Sequence, residues 1–164
     1  MPVYAPPDSS VPVMQVLHQA QLALKHGDVT HSLVLAKAAL ARAQAAHDLP
    51  TEARALLALS QADRMVSRFR RAQETAQRAA TLFQMCEDTR GEAEALATLS
   101  HTLSVMGHSE EGVEAALLGL KLNAEAPALS QALSYNYLGV AYAHGGSFDR
   151  ADAAYRTAIS LLED

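Results

Sequence analysis

The chain has 164 residues, enough for one domain with a substantial core, and 49% of them are hydrophobic. Its formal net charge of −5 argues against a general nucleic-acid binder, which would carry a basic face. The single cysteine, Cys86, cannot form an internal disulfide, and no apolar run approaches the roughly 18–20 residues that span a bilayer. Alanine and leucine are abundant, whereas alternating β-type runs are short. We therefore predict an all-α, cytoplasmic protein without membrane or nucleic-acid partners.

The segment before the first helix, MPVYAPPDSSVP, is rich in proline and lacks the basic and apolar regions of a signal peptide. We predict a flexible leader over residues 1–12. Turn signals divide the rest into pairs of helices. The predicted helices span about Val13–His26, Val29–Ala46, Thr51–Val66, Phe69–Cys86, Glu92–Met106, Ser109–Asn123, Ala128–His144 and Phe148–Leu162.

A repeat is clearest in the last pair, where small residues at Gly139, Ala151 and Ala158 accompany the large Leu138, Tyr142 and Tyr155. Small side chains at a helix crossing let the two axes approach to the usual 8–10 Å. The same pattern recurs backwards along the chain at a nearly constant step. Leu138 aligns with Leu99, Leu59 and Gln19, and Gly139 aligns with Ser100, Ser60 and Ala20.

This spacing resembles the tetratricopeptide repeat. The resemblance implies a right-handed α-solenoid of four helix hairpins, with repeats at about 13–52, 53–92, 93–131 and 132–164. The period of about 40 residues exceeds the commonest 34. The longer form is similar to tetratricopeptide modules of bacterial signalling proteins, including regulators with a DNA-binding tail and proteins that end in a GGDEF-type cyclase domain.

The resemblance implies a non-catalytic module that binds a protein or peptide, or that dimerises. Our specific hypothesis is the N-terminal sensory or regulatory part of a diguanylate cyclase-type protein in bacterial signal transduction. The alternatives are a free-standing scaffold subunit and the repeat module of a transcriptional regulator. We expect no enzyme, cofactor or metal site in this chain, because its seven histidines form no His-x3-His pair and Cys86 stands alone.

The sequence stops directly after the second helix of the fourth repeat, where such arrays usually carry a polar capping helix. We expect either that this chain is the N-terminal piece of a longer protein or that another copy covers the open end. A homodimer is therefore one of the expected partnerships.

The resemblance also implies that the first helix of each repeat lines a concave groove. The groove positions carried over to this sequence are Leu17, Gln21, Arg54, Leu57, Gln61, Arg64, Glu94, His101, Asn136, Tyr137 and His144. The carboxylate clamp of this family needs Lys and Asn at defined groove positions in successive repeats. An acidic C-terminal tail is not the expected ligand, because those positions hold Leu17, Gln21, Leu57 and Gln61. The mixed character instead predicts an extended or helical peptide with apolar anchors and some acid, unless the protein's own next segment fills the groove.

A local basic cluster is the one departure from acidity in the chain. It could dock an acidic partner, or it could be a solvated face that pairs with acids such as Glu74. Its members are Arg64, Arg68, Arg70, Arg71 and Arg78.

Overall fold

A computed structural model describes residues 4–163, which form eight α-helices and no strand. The helices are α1 (Val13–Lys25), α2 (Val29–Ala45), α3 (Leu49–Met65), α4 (Phe69–Met85), α5 (Thr89–Val105), α6 (Ser109–Leu122), α7 (Ala128–His144) and α8 (Phe148–Glu163). Consecutive helices pair into four hairpins, and we call their first members (α1, α3, α5, α7) A helices and their second members B helices. The predicted all-α fold of four hairpins is confirmed.

The B helices begin at a nearly constant interval along the chain. Their first residues are Val29, Phe69, Ser109 and Phe148. The interval between them agrees with the period of the small-residue pattern in the sequence, so each repeat of the pattern corresponds to one hairpin.

Aspartate caps set the starts of three helices. The side chains of Asp28, Asp48 and Asp88 accept hydrogen bonds from the backbone N–H three residues later, at 2.9–3.2 Å. Because an N-cap supplies an acceptor for an otherwise unpaired helix N–H, the helix begins directly after it. Helices α3 and α5 therefore begin at Leu49 and Thr89. The predicted starts at Thr51 and Glu92 were too late, since the sequence interpretation treated the capping aspartates as parts of longer breaks.

Helices α1 to α4 form one compact unit that ends at Glu87. Its core joins three helices through apolar side chains packed around small ones. The buried members are Val16, Leu17, Ala20, Leu33, Leu35, Ala36, Ala39, Ala55, Ala58, Leu59 and Ala62. Polar links join α3 to α2 and to α4. Ser60 Oγ on α3 donates to the carbonyl of Ala72 on α4 at 2.7 Å. The nearly buried carboxylate of Glu52 accepts from Gln44 at 3.2 Å and from Arg78.

Helices α5 to α8 form the second unit, from Asp88 onward. Buried Ala116, Leu138 and Ala154 join α6, α7 and α8. Half-buried side chains surround them, namely Val113, Leu120, Tyr135 and Tyr142. Gly139 permits a close approach of α7 and α8, because a Cβ there would lie 2.6 Å from the Tyr155 ring.

The Glu52–Arg78 ion pair has no counterpart one repeat later. The equivalent positions in the next repeat are Glu92 on α5 and Leu118 on α6. Leu118 is an exposed leucine, so it brings no cation to the carboxylate. Burial raises the pKa of Glu92 above its ordinary value.

Part of the leader contacts the first hairpin. The Tyr4 ring stacks on His31 with centroids 4.3 Å apart, and its hydroxyl donates to Asp28. Arg42 donates to the carbonyl of Ser9 at 3.1 Å. Flexibility of residues 1–12 stays a prediction, and residues 1–3 lie outside the described part of the chain.

Candidate interaction surfaces

The predicted groove positions of the first unit all lie on its A helices, α1 and α3. Leu17 and Leu57 are buried in the core, so they offer a partner little surface. Gln21 and Arg54 are exposed, and Gln61 is half-buried. This unit therefore offers amide and guanidinium groups rather than an apolar wall.

Arg64 behaves differently from Arg54 on the same helix. It is half-buried, and its Nε atom is buried without a hydrogen-bond partner among the described residues. A change at Arg64 therefore alters packing as well as surface charge.

Most arginines of the basic cluster form ion pairs with carboxylates that are buried or nearly buried. The side chain of Asp63 is fully buried and pairs with Arg71 at 3.0 Å and Arg68 at 3.5 Å. Arg78 pairs with Glu52. Three of the five arginines therefore form ion pairs within the fold. Their partners are Asp63 and Glu52, not Glu74, which the sequence analysis had suggested. Because these pairs join α3 to the turn and helix that follow, they stabilise the second hairpin.

In the second unit, two of the predicted groove residues lie next to each other. His101 on α5 and Tyr137 on α7 are half-buried, and their rings meet edge to face with centroids 6.4 Å apart. Such perpendicular contacts are favourable for aromatic rings. The pair forms because α5 and α7, both A helices, pack side by side.

The remaining positions of this unit are dispersed. Glu94 is exposed and pairs with Arg90 at 3.5 Å, and His144 is exposed at the end of α7. Asn136 lines an apolar cavity between α7 and α8 instead of joining His101 and Tyr137.

The sequence analysis did not identify this cavity or most of the residues that line it. It has a volume of about 390 Å³. Its lining consists of Leu129, Ala132, Leu133, Asn136, Tyr155, Ala158, Ile159 and Leu162. Four of these are large apolar side chains that are 51–60% exposed, and we call them the α7–α8 face: Leu129, Leu133, Ile159 and Leu162.

The sequence did contain a signal for this face. Ile159 and Leu162 lie one repeat after Leu120 and Asn123, which are half-buried and buried in the preceding hairpin. Comparison of equivalent positions would therefore have marked Ile159 and Leu162 for attention, since both are more exposed than their equivalents in the preceding hairpin.

Residues 4–163 contain no cluster of three or more His, Cys, Asp or Glu side chains placed to hold a metal ion. Cys86 is a half-buried free thiol. Among the same residues, no helix combines the length and apolar character needed to cross a bilayer.

No family model and no curated protein sequence matches this chain. Solved structures do match it. A crystal structure of MamA shares 21% identity at a TM-score of 0.64, and the match covers 92% of this chain and 78% of MamA. BtubC from P. vanneervenii shares 16% identity at a TM-score of 0.77, covering 92% of this chain and 63% of BtubC. The TPR-like repeats of a putative kinesin light chain from Podosopora anserina share 14% identity at a TM-score of 0.70, and the match covers 95% of this chain and 78% of that one.

These likenesses, with the four helix hairpins, define the class of protein by its fold. The chain is an α-solenoid of helical repeats. More particularly, its hairpins are tetratricopeptide-like, and the resemblance in the sequence is confirmed at the level of fold.

Proposed function

We propose that this chain is a non-catalytic protein-interaction module that binds a peptide segment of a partner protein along its A helices. The observation that carries the proposal is the contact of His101 with Tyr137. These two residues come from different A helices, they lie in successive repeats of the sequence, and both keep part of their surface accessible. A half-buried aromatic pair with polar tips is the kind of site that anchors a peptide side chain.

The first unit supports a particular peptide chemistry. Gln21 and Arg54 are exposed on α1 and α3, which pack against each other. Glutamine side chains can donate to and accept from a peptide backbone, and an arginine can hold a carboxylate with two parallel hydrogen bonds. The first unit therefore favours an acidic residue in its ligand, whereas the His101–Tyr137 pair of the second unit favours an apolar or aromatic side chain.

Panning of a random peptide library displayed on phage against the immobilised chain tests this proposal. Selected peptides are then measured against two variants with the same change in charge. Arg54→Glu reverses an exposed cation on an A helix, and Lys37→Glu reverses an exposed cation on the B helix α2. Both sites are exposed, but Arg54, after the hydrogen bonds from Thr51, also contributes to the lowered pKa of Asp48, so the melting temperature of each variant is measured beside its affinity.

We expect enrichment of peptides with an acid and an apolar anchor, and at least tenfold weaker binding to Arg54→Glu than to Lys37→Glu. A tenfold change corresponds to about 1.4 kcal/mol, which is typical of one lost charge-assisted contact. Equal affinity for both variants would refute binding at the exposed side of α3 around Arg54. Failure to enrich any peptide would refute peptide binding itself.

The wider role that we propose is regulation within a larger bacterial signalling protein with a diguanylate cyclase-type output. Its support is the long repeat period, and its test is the coding sequence downstream of Asp164. A DNA-binding domain there would favour the transcriptional regulator, and a stop codon would favour the free-standing scaffold. Self-association remains a further proposed property of this chain.

A further inference from the structure

The leader contacts α2 near both ends of that helix. At the start of α2, the Tyr4 ring stacks on His31 with the two ring planes 2° apart, and the Tyr4 hydroxyl donates to Asp28. Near the end of α2, Arg42 donates to the carbonyl oxygen of Ser9 at 3.1 Å. The leader is therefore attached to one helix at two separate places.

The spacing of these contacts is the same along the leader and along α2. The step from His31 to Arg42 corresponds to about 16 Å of α-helix at 1.5 Å per residue. The step from Tyr4 to Ser9 corresponds to about 16 Å of extended chain at about 3.3 Å per residue. Residues 4–8 form no helix or turn. The leader therefore follows α2 as an extended segment that runs in the same direction as the helix.

One side of α2 connects the two contacts. Residues three and four apart lie on the same side of an α-helix. This side carries His31, Leu35, Ala38 and Arg42, which we call the α2 strip. Leu35 is 3% exposed and belongs to the buried cluster of the first unit, against which Val11 of the leader packs. The strip thus has an apolar centre, with an imidazole at one end and a guanidinium at the other.

The equivalent side of α8 faces another helix. The α8 residues equivalent to His31 and Leu35 are Arg150 and Ala154. Arg150 and residues of α6 line a cavity of about 420 Å³, and Ala154 belongs to a buried cluster with Ala116 of α6. In the fourth hairpin this side therefore faces the preceding B helix. In the first hairpin the leader takes that place.

The leader is held at a few points and is otherwise open to solvent. Five of the six residues between Tyr4 and Val11 are exposed. A segment with few buried contacts opens at a low free-energy cost compared with the packed helices beside it. Because extended peptides are recognised through side-chain anchors, a strip that holds the leader can hold another segment with the same anchors.

We propose that the α2 strip is a second binding site, which takes an extended peptide segment with a phenol side chain, and that the leader occupies it in cis as a displaceable strap. The phenol of the ligand stacks on His31 and donates to Asp28, as Tyr4 does. An apolar side chain seven residues later packs where Val11 packs. The site is independent of the peptide binding proposed for the A helices, because α2 is a B helix.

A fluorescein-labelled peptide of residues 1–12 tests the proposal as a probe in trans. Its affinity is measured by fluorescence anisotropy for the whole chain and for the whole-chain variant Tyr4→Ala, whose strap has lost the ring contact with His31. The control is Pro6→Ala, which changes an exposed leader residue. Both changes lie outside the helices, so both variants are expected to fold, and circular dichroism with thermal melting checks this.

In the parent, the strap competes with the peptide at an effective concentration on the order of 1 mM, as for short flexible linkers. A peptide with a dissociation constant of about 100 μM is then weakened about tenfold. We expect Tyr4→Ala to bind the peptide about tenfold more tightly than the parent and Pro6→Ala do. Equal affinity for the parent and Tyr4→Ala would overturn the strap as the occupant of the strip. No binding to Tyr4→Ala at about 1 mM peptide would overturn the strip as a binding site.

Two further comparisons locate the site and define its chemistry. In the Tyr4→Ala background, His31→Ala is expected to weaken peptide binding at least tenfold, whereas His18→Ala, which changes an exposed histidine on α1, is not. Equal effects of the two changes would place the peptide elsewhere and overturn the proposal. The peptide variant Tyr4→Phe should bind about fivefold more weakly, because it cannot donate to Asp28. Equal affinity of the two peptides would overturn the requirement for a phenol.

Discussion

Gly139→Ala should destabilise the protein although alanine is the better helix former. A Cβ at this position would lie 2.6–2.9 Å from three carbon atoms of the Tyr155 ring, well inside ordinary contact. Overpacking of this kind costs about 1–3 kcal/mol, while alanine gains about 1 kcal/mol over glycine in a helix interior. The expected net effect is a loss of about 1 kcal/mol in the free energy of unfolding.

Comparison of equivalent positions in the four hairpins explains why residue 139 is a glycine. In the other three hairpins, the residues equivalent to the pair Gly139 and Tyr155 are Ser100 with Ala116, Ser60 with Ala76, and Ala20 with Ala36. Where the B-helix residue is alanine, the A helix tolerates a Cβ. Where it is tyrosine, the A helix has glycine.

A double-mutant cycle in urea measures the coupling between the two positions. In the Tyr155→Ala background the clash is gone, so Gly139→Ala should now stabilise the protein by about 1 kcal/mol. The sign of the effect therefore reverses, with a coupling energy of about 2 kcal/mol. If Gly139→Ala has the same sign in both backgrounds, the steric explanation of the repeat fails.

Three further perturbations test separate contacts. Asp63→Asn should cost about 2 kcal/mol at pH 7, because it removes a buried charge shared with two arginines; a loss below about 0.5 kcal/mol in urea unfolding would contradict this. Since burial raises the pKa of Glu92, the folded state loses stability as the pH rises from the ordinary value of 4.5 towards the raised one. Leu118→Arg should lower that pKa and add about 0.5 kcal/mol at pH 7 but none at pH 4, and an equal gain at both pH values would argue against pairing with Glu92. Tyr4→Phe should raise the pKa of Asp28 towards its ordinary value, because the hydrogen bond from Tyr4 is the main cause that lowers it; an unchanged carboxyl titration by 13C NMR would reject the contact.

The sequence predicted the number, order and pairing of the helices because their determinants are local. Small residues at a fixed interval and turn residues at helix ends do not depend on distant parts of the chain. The errors at α3 and α5 came from Asp48 and Asp88, which read as loop residues in the sequence but act as caps. Gly91 was interpreted as part of a break between helices. In the structure it is buried inside α5, and its backbone N–H donates to the capping side chain of Asp88.

The candidate surfaces were harder to predict, because exposure depends on tertiary contacts. Positions carried over by resemblance all fall on A helices, but rotation about the helix axis decides what each side chain meets. Leu57 turns into the core, whereas Asn136 turns into the cavity beside α8. The pairing of Asp63 with two arginines was also invisible, since the sequence pattern does not show which acid is buried.

The most direct test of the proposed function is a map of where a selected peptide binds, recorded as 1H–15N chemical-shift changes across the assigned backbone of the whole chain. The proposal predicts that the largest changes fall on the A helices of either unit, around Arg54 and Gln61 in the first or around His101 and Tyr137 in the second. Changes confined to the B helices or to the α7–α8 face would contradict it.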